Sequence, residues 1–389
     1  MLLKKVQSEP EKSRNYLVFY VFMLNVYMLY SLNRKAERNM ATIREIAKIA
    51  GVSIATVSKV LNGQPGVSRE TQEAVMAIAG KLNYRPNLYA RHLKTGASRT
   101  IGIIAEDLTV FNAPGIIDGI GVCCETRKYH YILGNLRFNK RFGHDTDYTR
   151  QKSDLVIEMI DDMLSKQVDG ILYIGCHSHV VAFLSSKKET RFVCSYCYSE
   201  DGDIPSVIYN DRDAAKKVTE LLISKGHSKI GVIAGNRDSL HTTNRLLGVQ
   251  EALFDNNIPY NPRLTYYGKW ERDHGFEAVT HLLKEDVTAV FALNDLIAMG
   301  VIDYCNQNGI EVGKDLALIG FDNREIAEVC KPSLSTVSLP LFDIGHTAAG
   351  IMLDMIEKDI RPEEHEILLN CRIIERESTG GLKDKDLMV

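Results

Sequence analysis

The sequence predicts two architectures in one chain: a small all-α module near the N-terminus, then a large α/β body of two doubly wound parallel-sheet subdomains. Three observations predict this. Apolar residues repeat at helical spacing between residues 43 and 82; from residue 100 short apolar runs alternate with helical stretches; and charge divides between the two regions. Residues 40–99 hold nine Lys and Arg against three Glu, residues 1–39 seven against three, and residues 100–389 carry a net charge of -13. A chain of 389 residues also exceeds one compact domain of ordinary size.

The helical module follows from its apolar stripe. Ile43, Ile46, Ala47 and Ala50 share one helical face, Gly51-Val52-Ser53 interrupts, and Val57, Val60 and Leu61 resume. Gly51 is suited to the positive φ of a tight turn, and Ser53 stands where a second helix needs its N-cap. A third helix follows Ser68, with Val75, Ile78, Ala79 and Leu82 on one stripe. Three small helices with basic flanks make a helix-turn-helix headpiece.

With Val57, Val60 and Leu61 turned inward, Ser53, Ile54, Ala55, Ser58 and Lys59 face water. Such a helix suits the major groove: Ile54 and Ala55 fit thymine methyl groups, and Lys59 donates to guanine or to phosphate. A generic three-helix protein-interaction module is the competing reading, and the basic balance weighs against it.

The body begins at Thr100. The runs at 101–107, 129–136, 168–175, 191–197, 229–235, 289–295 and 316–322 are apolar enough for parallel strands covered on both faces, and helical stretches at 213–225, 242–256 and 295–309 lie between them. Ligands of such sheets bind beyond the carboxyl ends of strands. Those ends supply Phe111 and Asn112, Arg245, Trp270, Asn294 with Asp295, and Asp322. Aromatic faces, amides, carboxylates and a guanidinium suit a sugar-sized polyol. Each has a plainer alternative: Asp322 as a helix cap, Arg245 paired with a surface acid, Trp270 as core.

Residues 42–63 (TIREIAKIAGVSIATVSKVLNG) and 67–96 (VSRETQEAVMAIAGKLNYRPNLYARHLKTG) closely resemble the headpiece and hinge helix of the lactose-repressor (LacI/GalR) family. The resemblance implies that Thr42, Ser53, Thr56, Ser58, Asn62, Tyr84 and Asn87 position phosphates, while Ile54, Ala55 and Lys59 read bases. It implies that Leu93, with Lys94 beside it, wedges between base steps of a bent operator; packing of Leu93 on the neighbouring domain is the alternative. The body likewise resembles the family's periplasmic-binding-protein-like core. Arg245 and Gly248 match its R-x-x-G element, Trp270 its aromatic platform, and Asn294, Asp295 and Asp322 its polar effector contacts. Residues 107–117 and 137–151 depart from members with familiar effectors, which leaves the ligand's identity open.

The resulting division is an N-terminal extension at 1–39, a helix-turn-helix domain at 40–86, a hinge helix and linker at 87–99, an effector-binding and dimerisation domain at 100–380, and a tail at 381–389. By the resemblance, the body's two lobes are discontinuous, the chain returning near 338–342 and again near 359–365. The expected partners are operator DNA, a small-molecule effector of sugar type and a second copy of the chain; no cofactor is expected. Effector closure of the lobes then biases the headpieces toward or away from the operator.

Other constellations carry less. Cys194-Ser-Tyr-Cys197 lies in an apolar run without a second pair, and His177-Ser-His179 beside Cys176 sits on an extended segment whose alternate side chains diverge, so no metal is expected. No phosphate-loop motif or G-x-S-x-G elbow is present, and the chain is not read as an enzyme. Eight dilute cysteines mostly within apolar runs fit reduced thiols and a cytoplasmic protein. Residues 16–32 are seventeen mostly apolar residues flanked by Lys and Arg. They read as a consequence of an upstream start codon ahead of Met40, with a membrane-tethered regulator as rival. A second rival, a sugar-binding transport receptor, would not need residues 42–96.

Overall fold

The computed structural model describes residues 42–84, 98–143, 150–181, 184, 189–200 and 202–380. The chain divides into two compact units, with the boundary between Gly96 and Ala97.

In the first unit, helix α1 (Ile43–Ala50) opens with a reciprocal cap in which the Glu45 N–H donates to the Thr42 hydroxyl while the Thr42 N–H donates to the Glu45 carboxylate at 2.7 Å. Gly51 ends it in the left-handed region, φ 67°. Helix α2 (Ile54–Leu61) starts from Ser53, whose hydroxyl accepts from the Thr56 N–H at 3.0 Å, and helix α3 (Arg69–Lys81) starts from Ser68 in the same manner. Ile46, Ala47, Val57, Val60, Val75 and Ala79 close one core, ringed by Ile43, Leu61, Ile78, Leu82 and Tyr84 among others. Leu61, Ile78 and Leu82 thus seal the rim rather than fill the centre. Burial of a side chain such as Ile46 or Val57 contributes about 1.5–3 kcal/mol, so these few residues carry much of a small domain's stability.

The second unit has two parallel sheets. The first contains β1 (Thr100–Ala105), β2 (His130–Asn135), β3 (Ile171–Ile174), β5 (Phe192–Ser195), β7 (Ser206–Tyr209) and β13 (Glu366–Leu369), in the order β13-β7-β5-β3-β1-β2. The second contains β8 (Ile230–Ala234), β9 (Thr265–Tyr267), β10 (Ala289–Ala292) and β11 (Ala317–Ile319), in the order β11-β10-β8-β9. Two minor pairs complete the set: β4 (Val180–Val181) with β6 (Tyr198–Ser199), and β12 (Thr336–Ser338) antiparallel to β14 (Arg372–Ile374). Every residue of β3, β5, β8 and β10 is buried, as strands covered on both faces require. Strand β2 departs from that expectation: it is an edge strand with Tyr131 and Leu133 exposed, since a last strand lacks a neighbour on one side.

Helices α4 (Asn112–Arg127) and α12 (Leu341–Glu357) pack together on the first sheet, and α7 (Asp211–Ser224) packs on α8 (Leu240–Asp255) in the second lobe. The chain crosses between lobes after β7, between β12 and α12, and between β13 and β14. The crossing expected at 359–365 is therefore displaced. That segment joins α12 to β13 within the first lobe, because Ile367 and Leu369 add β13 to the edge of β7. The true crossing falls between Leu369 and Arg372.

Gly248 shows why the R-x-x-G element needs its glycine. A Cβ there would collide with the Arg212 carbonyl oxygen, so the close approach of α7 and α8 depends on its absence.

Candidate functional site

The exposed side of α2 carries Ser53, Ile54, Ala55 and Lys59, with Ile54 47% accessible, while Val57 and Val60 are buried. An isoleucine left in water at the start of a capped helix is a poor choice for stability and a sound one for contact with an apolar base edge. Several of the expected phosphate-positioning groups also serve the fold. Thr42 and Ser53 cap helices, Ser53 Oγ and Thr56 Oγ1 lie 2.8 Å apart, Asn62 Nδ2 donates to the Ser58 carbonyl at 2.7 Å, and Tyr84 leans half-buried on the core. A hydroxyl that accepts from a backbone N–H keeps its own hydrogen for another acceptor, so capping and phosphate contact are compatible. Asn87, Leu93 and Lys94 lie outside the described residues.

In the second unit the polar centre is built on Arg245, which is 2% exposed. From α8 its Nε donates to Asp211 Oδ1 at 2.6 Å, its Nη2 to the Tyr209 hydroxyl at 2.8 Å, and its Nη1 to the Leu293 carbonyl. Its guanidinium lies 3.6 Å over the Phe321 ring and 5.7 Å from the centre of Trp270. Asp211 also meets His241 Nδ1, one helical turn before Arg245, at 2.7 Å. Burial opposes ionisation of Asp211, yet Arg245 and His241 hold its carboxyl below the usual value. Burial likewise opposes charge on Arg245, and Tyr209, Asp211 and Asp322 outweigh it. The alternative of a surface ion pair for Arg245 is set aside by this geometry.

Around this centre stand the other candidates. Trp270 is half-buried and its indole lies against Gly235, where a Cβ would strike the ring. Asn294 caps α10 (Asp295–Asn308) by accepting from the Ile297 N–H at 2.7 Å, and its Nδ2 donates to the Trp270 carbonyl at 3.3 Å. Asp295 accepts from Thr336 Oγ1 at 2.6 Å and from the Arg324 N–H at 2.7 Å. Asp322, at φ 108°, follows β11 without capping a helix: α11 (Glu325–Val329) starts from Arg324, which makes no side-chain cap. Burial raises Asp322 to about 7, with Arg245 opposing and Asp295 adding, and burial raises Asp295 to about 6 against the hydrogen bond from Thr336. The pair thus repels a second negative charge and favours retaining a proton.

Besides Tyr209, which ends β7 of the first sheet and accepts from Arg245, the first lobe reaches toward this centre through two further contacts among the described residues. The Arg324 guanidinium lies 4.3 Å over the Phe111 ring, and the Ser178 N–H donates to His241 Nε2 at 3.0 Å. Asn112 beside Phe111 is fully buried; its Nδ2 donates to the Gly175 carbonyl at 3.0 Å, while its Oδ1 accepts no hydrogen bond from the described residues. Ser195 Oγ, at the end of β5, and Thr242 Oγ1, in the first turn of α8, are buried and unpartnered in the same sense. Polar atoms left unpaired at strand ends and first helical turns are where a polar ligand would supply the missing partner. A separate groove of about 680 Å³ is lined by Leu247, Phe254, Tyr260 and Lys216 among others and includes none of these groups.

One sequence expectation fails here. His177 and His179 do not diverge; their ring centres are 4.5 Å apart, because the segment bends after β3 instead of continuing as a strand. His177 Nδ1 lies 3.1 Å from Cys176 Sγ, and Glu106 is buried beside them. Burial lowers His177 to about 3, and burial opposes protonation of His179 while Glu106 raises it. Sequence reasoning also missed Tyr209, Asp211 and His241. Their signal is a strand-end carboxylate after SVIY and the four-residue spacing of His241 and Arg245. All eight cysteines are free, and six are buried.

A helix-turn-helix unit and a two-lobed α/β body with a charged polar centre define a DNA-binding regulator under small-molecule control. Residues 42–87 match the family described as bacterial regulatory proteins, lacI family, and residues 219–379 match a periplasmic binding protein-like domain. Catabolite control protein A of Priestia megaterium is 32% identical over 324 residues, covering 82% of this chain and 93% of that protein. Among solved structures, a transcriptional regulator CelR–cellobiose complex shares 26% identity with a TM-score of 0.60, covering 87% of this chain and 99% of that one. The lac repressor dimer bound to operator and the anti-inducer ONPF shares the fold, with 23% identity, a TM-score of 0.70 and the same coverage. The chain belongs to the LacI family of bacterial regulatory proteins, DNA-binding transcriptional regulators whose operator affinity is controlled by small-molecule effectors. No helix among the described residues is long and apolar enough to cross a membrane.

Proposed function

We propose that the effector of this regulator is a sugar held between the two lobes, with Arg245, Asn294, Asp322 and Asn112 as its polar contacts and Trp270 as its stacking face. The observation that carries this reading is the buried Arg245–Asp211 pair ringed by Trp270 and Phe321, with Asn112 Oδ1 of the first lobe lacking a partner among the described residues. A guanidinium pre-oriented by a carboxylate, beside aromatic faces, matches vicinal hydroxyls in both geometry and polarity. The likeness to a cellobiose-bound regulator favours the same ligand class.

The protein acts in the cytoplasm as a homodimer and performs no catalysis. Supporting dimerisation, Val122 on α4 and Tyr131 and Leu133 on β2 are apolar and exposed at one edge of the first lobe, and Tyr131 reaches the position beside Gly121. Ile54, Ala55 and Lys59 read bases, while Thr42, Ser53, Thr56, Ser58, Asn62, Tyr84 and Asn87 position phosphates and Leu93 with Lys94 enters the minor groove. Residues 40–86 form the DNA-binding domain, 87–99 the hinge and linker, and 100–380 the effector domain.

The test is a thermal-shift screen of mono- and disaccharides against the full chain, because a saturating ligand stabilises the native state by mass action. A sugar that raises Tm for the native chain and not for Arg245→Ala supports the assignment. Stabilisation by nucleobases alone would replace it.

A further inference from the structure

We propose that Glu106, Cys176 and His177 form a binding site for a thiophilic divalent cation of the zinc type, giving the sensor lobe a second input besides its effector. This goes beyond the sugar assignment and does not rest on it.

The three groups come from two adjacent strand ends. Glu106 follows β1 and is fully buried; Cys176 and His177 follow β3 and are half-buried. One carboxylate oxygen, Cys176 Sγ and a ring nitrogen of His177 all lie within 4.8 Å of one another. Zinc takes sulfur at about 2.3 Å and nitrogen or oxygen at about 2.0–2.2 Å, so a single ion placed among the three needs only small side-chain shifts. Thiolate, imidazole and carboxylate together are a donor set for zinc or cobalt and a poor one for magnesium or calcium. Three protein ligands leave a fourth position for water, and the partial exposure of Cys176 and His177 gives the ion a way in.

The surroundings already orient the ligands. The Tyr173 hydroxyl donates to Glu106 Oε1 at 2.7 Å, and the Cys176 N–H donates to Glu106 Oε2 at 2.8 Å. His179 Nε2 also lies 3.0 Å from Glu106 Oε1, and together these contacts fix the plane of the carboxylate, as outer partners of metal ligands do. Coordination replaces the Cys176–His177 contact: the thiol gives its proton to solvent, the sulfur bonds the cation, and one proton leaves per ion bound.

The site lies beside the lobe contact. Ser178, whose N–H donates to His241 Nε2 across the lobes, directly follows His177. An ion on Cys176 and His177 therefore acts on the segment that joins the first lobe to the Asp211–Arg245 centre.

The experiment titrates the purified full chain with Co²⁺ in the absence of sugar and DNA. The expected result is one ion per chain, with a thiolate-to-cobalt absorption band in the near ultraviolet, displaced by Zn²⁺ and unaffected by Mg²⁺. Cys176→Ser abolishes the band, His177→Ala weakens binding at least about tenfold, and Tyr173→Phe weakens it by about 10- to 100-fold through the loosened carboxylate. Cys330→Ser, at a half-buried thiol elsewhere, leaves both band and affinity unchanged. A native chain that shows no such band, or a band that persists in Cys176→Ser, overturns the proposal. Neither outcome touches the sugar assignment, which is read by Tm with metal-free protein.

Discussion

Arg245 Nε donates to Asp211 Oδ1 at 2.6 Å between side chains that are 2% and 5% exposed. The pair joins the first residue of α7 to the middle of α8, so it fixes the helix that carries Arg245. Removing one partner strands a charge in the interior.

Arg245→Ala is therefore expected to destabilise the second unit by about 3–5 kcal/mol, the cost of an uncompensated buried charge. The double variant Arg245→Met, Asp211→Leu recovers most of that stability in urea unfolding while effector binding remains lost. Recovery of both would assign the pair to the fold alone.

Acidity supplies a second test. In the native state Asp322 and Asp295 are raised to about 7 and about 6 from an ordinary 3.8, so between those limits the folded chain binds more protons than the unfolded one. Their contribution to stability is full below the ordinary value and falls as pH rises through 6 to 7. Asp211, lowered by Arg245 and His241 against its burial, has the opposite sense: its contribution is present above 3.8 and is lost as pH falls through its native value. Asp322→Asn is expected to flatten the decline toward neutral pH in denaturant titrations.

Sugar hydroxyls donate best to an ionised carboxylate, so a sugar that contacts Asp322 is expected to release a proton from the Asp295–Asp322 pair on binding. Calorimetry near pH 6 in buffers of different ionisation enthalpy should show that release. Binding without proton linkage would place the ligand away from Asp322.

Gly235→Ala sets a Cβ against the Trp270 ring. Overpacking of this kind costs about 1–3 kcal/mol and displaces the indole. The variant should lose effector affinity and keep its DNA affinity in the absence of effector; unchanged effector affinity would remove Trp270 from the binding face.

In the headpiece, Ser53→Ala removes the cap of α2 and should cost about 1 kcal/mol of stability. Ile54→Ala, at a 47% exposed position, should change stability by less than about 0.5 kcal/mol. It should also shift base preference at one operator position, as read by anisotropy on single-site operator variants. Equal loss on every DNA would give Ile54 no part in base reading.

The headpiece was almost wholly legible, because a six-residue core at helical spacing, Gly51 and Ser53 each leave a local mark. The apolar strands β1, β3, β5, β8, β10 and β11 were legible for the same reason. The edge strand β13 and the pair β12–β14 were not: β13 and β14 are short and flanked by charges, β12 is three residues of mixed polarity, and their pairing partners lie far away in sequence. Hence the third lobe crossing was misplaced. The effector candidates were found at strand ends, while Asp211, Tyr209 and His241 were missed because β7 offers only Val207 and Ile208 as an aliphatic run, between Pro205-Ser206 and Asn210, where the recognised strands lie in longer apolar runs. The His177–His179 cluster was misjudged because a bend after Ile174 is decided by tertiary contacts.

The most direct test of the account measures binding of the purified full chain to labelled chromosomal fragments by anisotropy in moderate salt, with and without the stabilising sugar. Particular fragments should bind far more tightly than bulk DNA, and the sugar should change their affinity at least about tenfold. Equal affinity for every fragment, unmoved by any sugar that raises Tm, would contradict it.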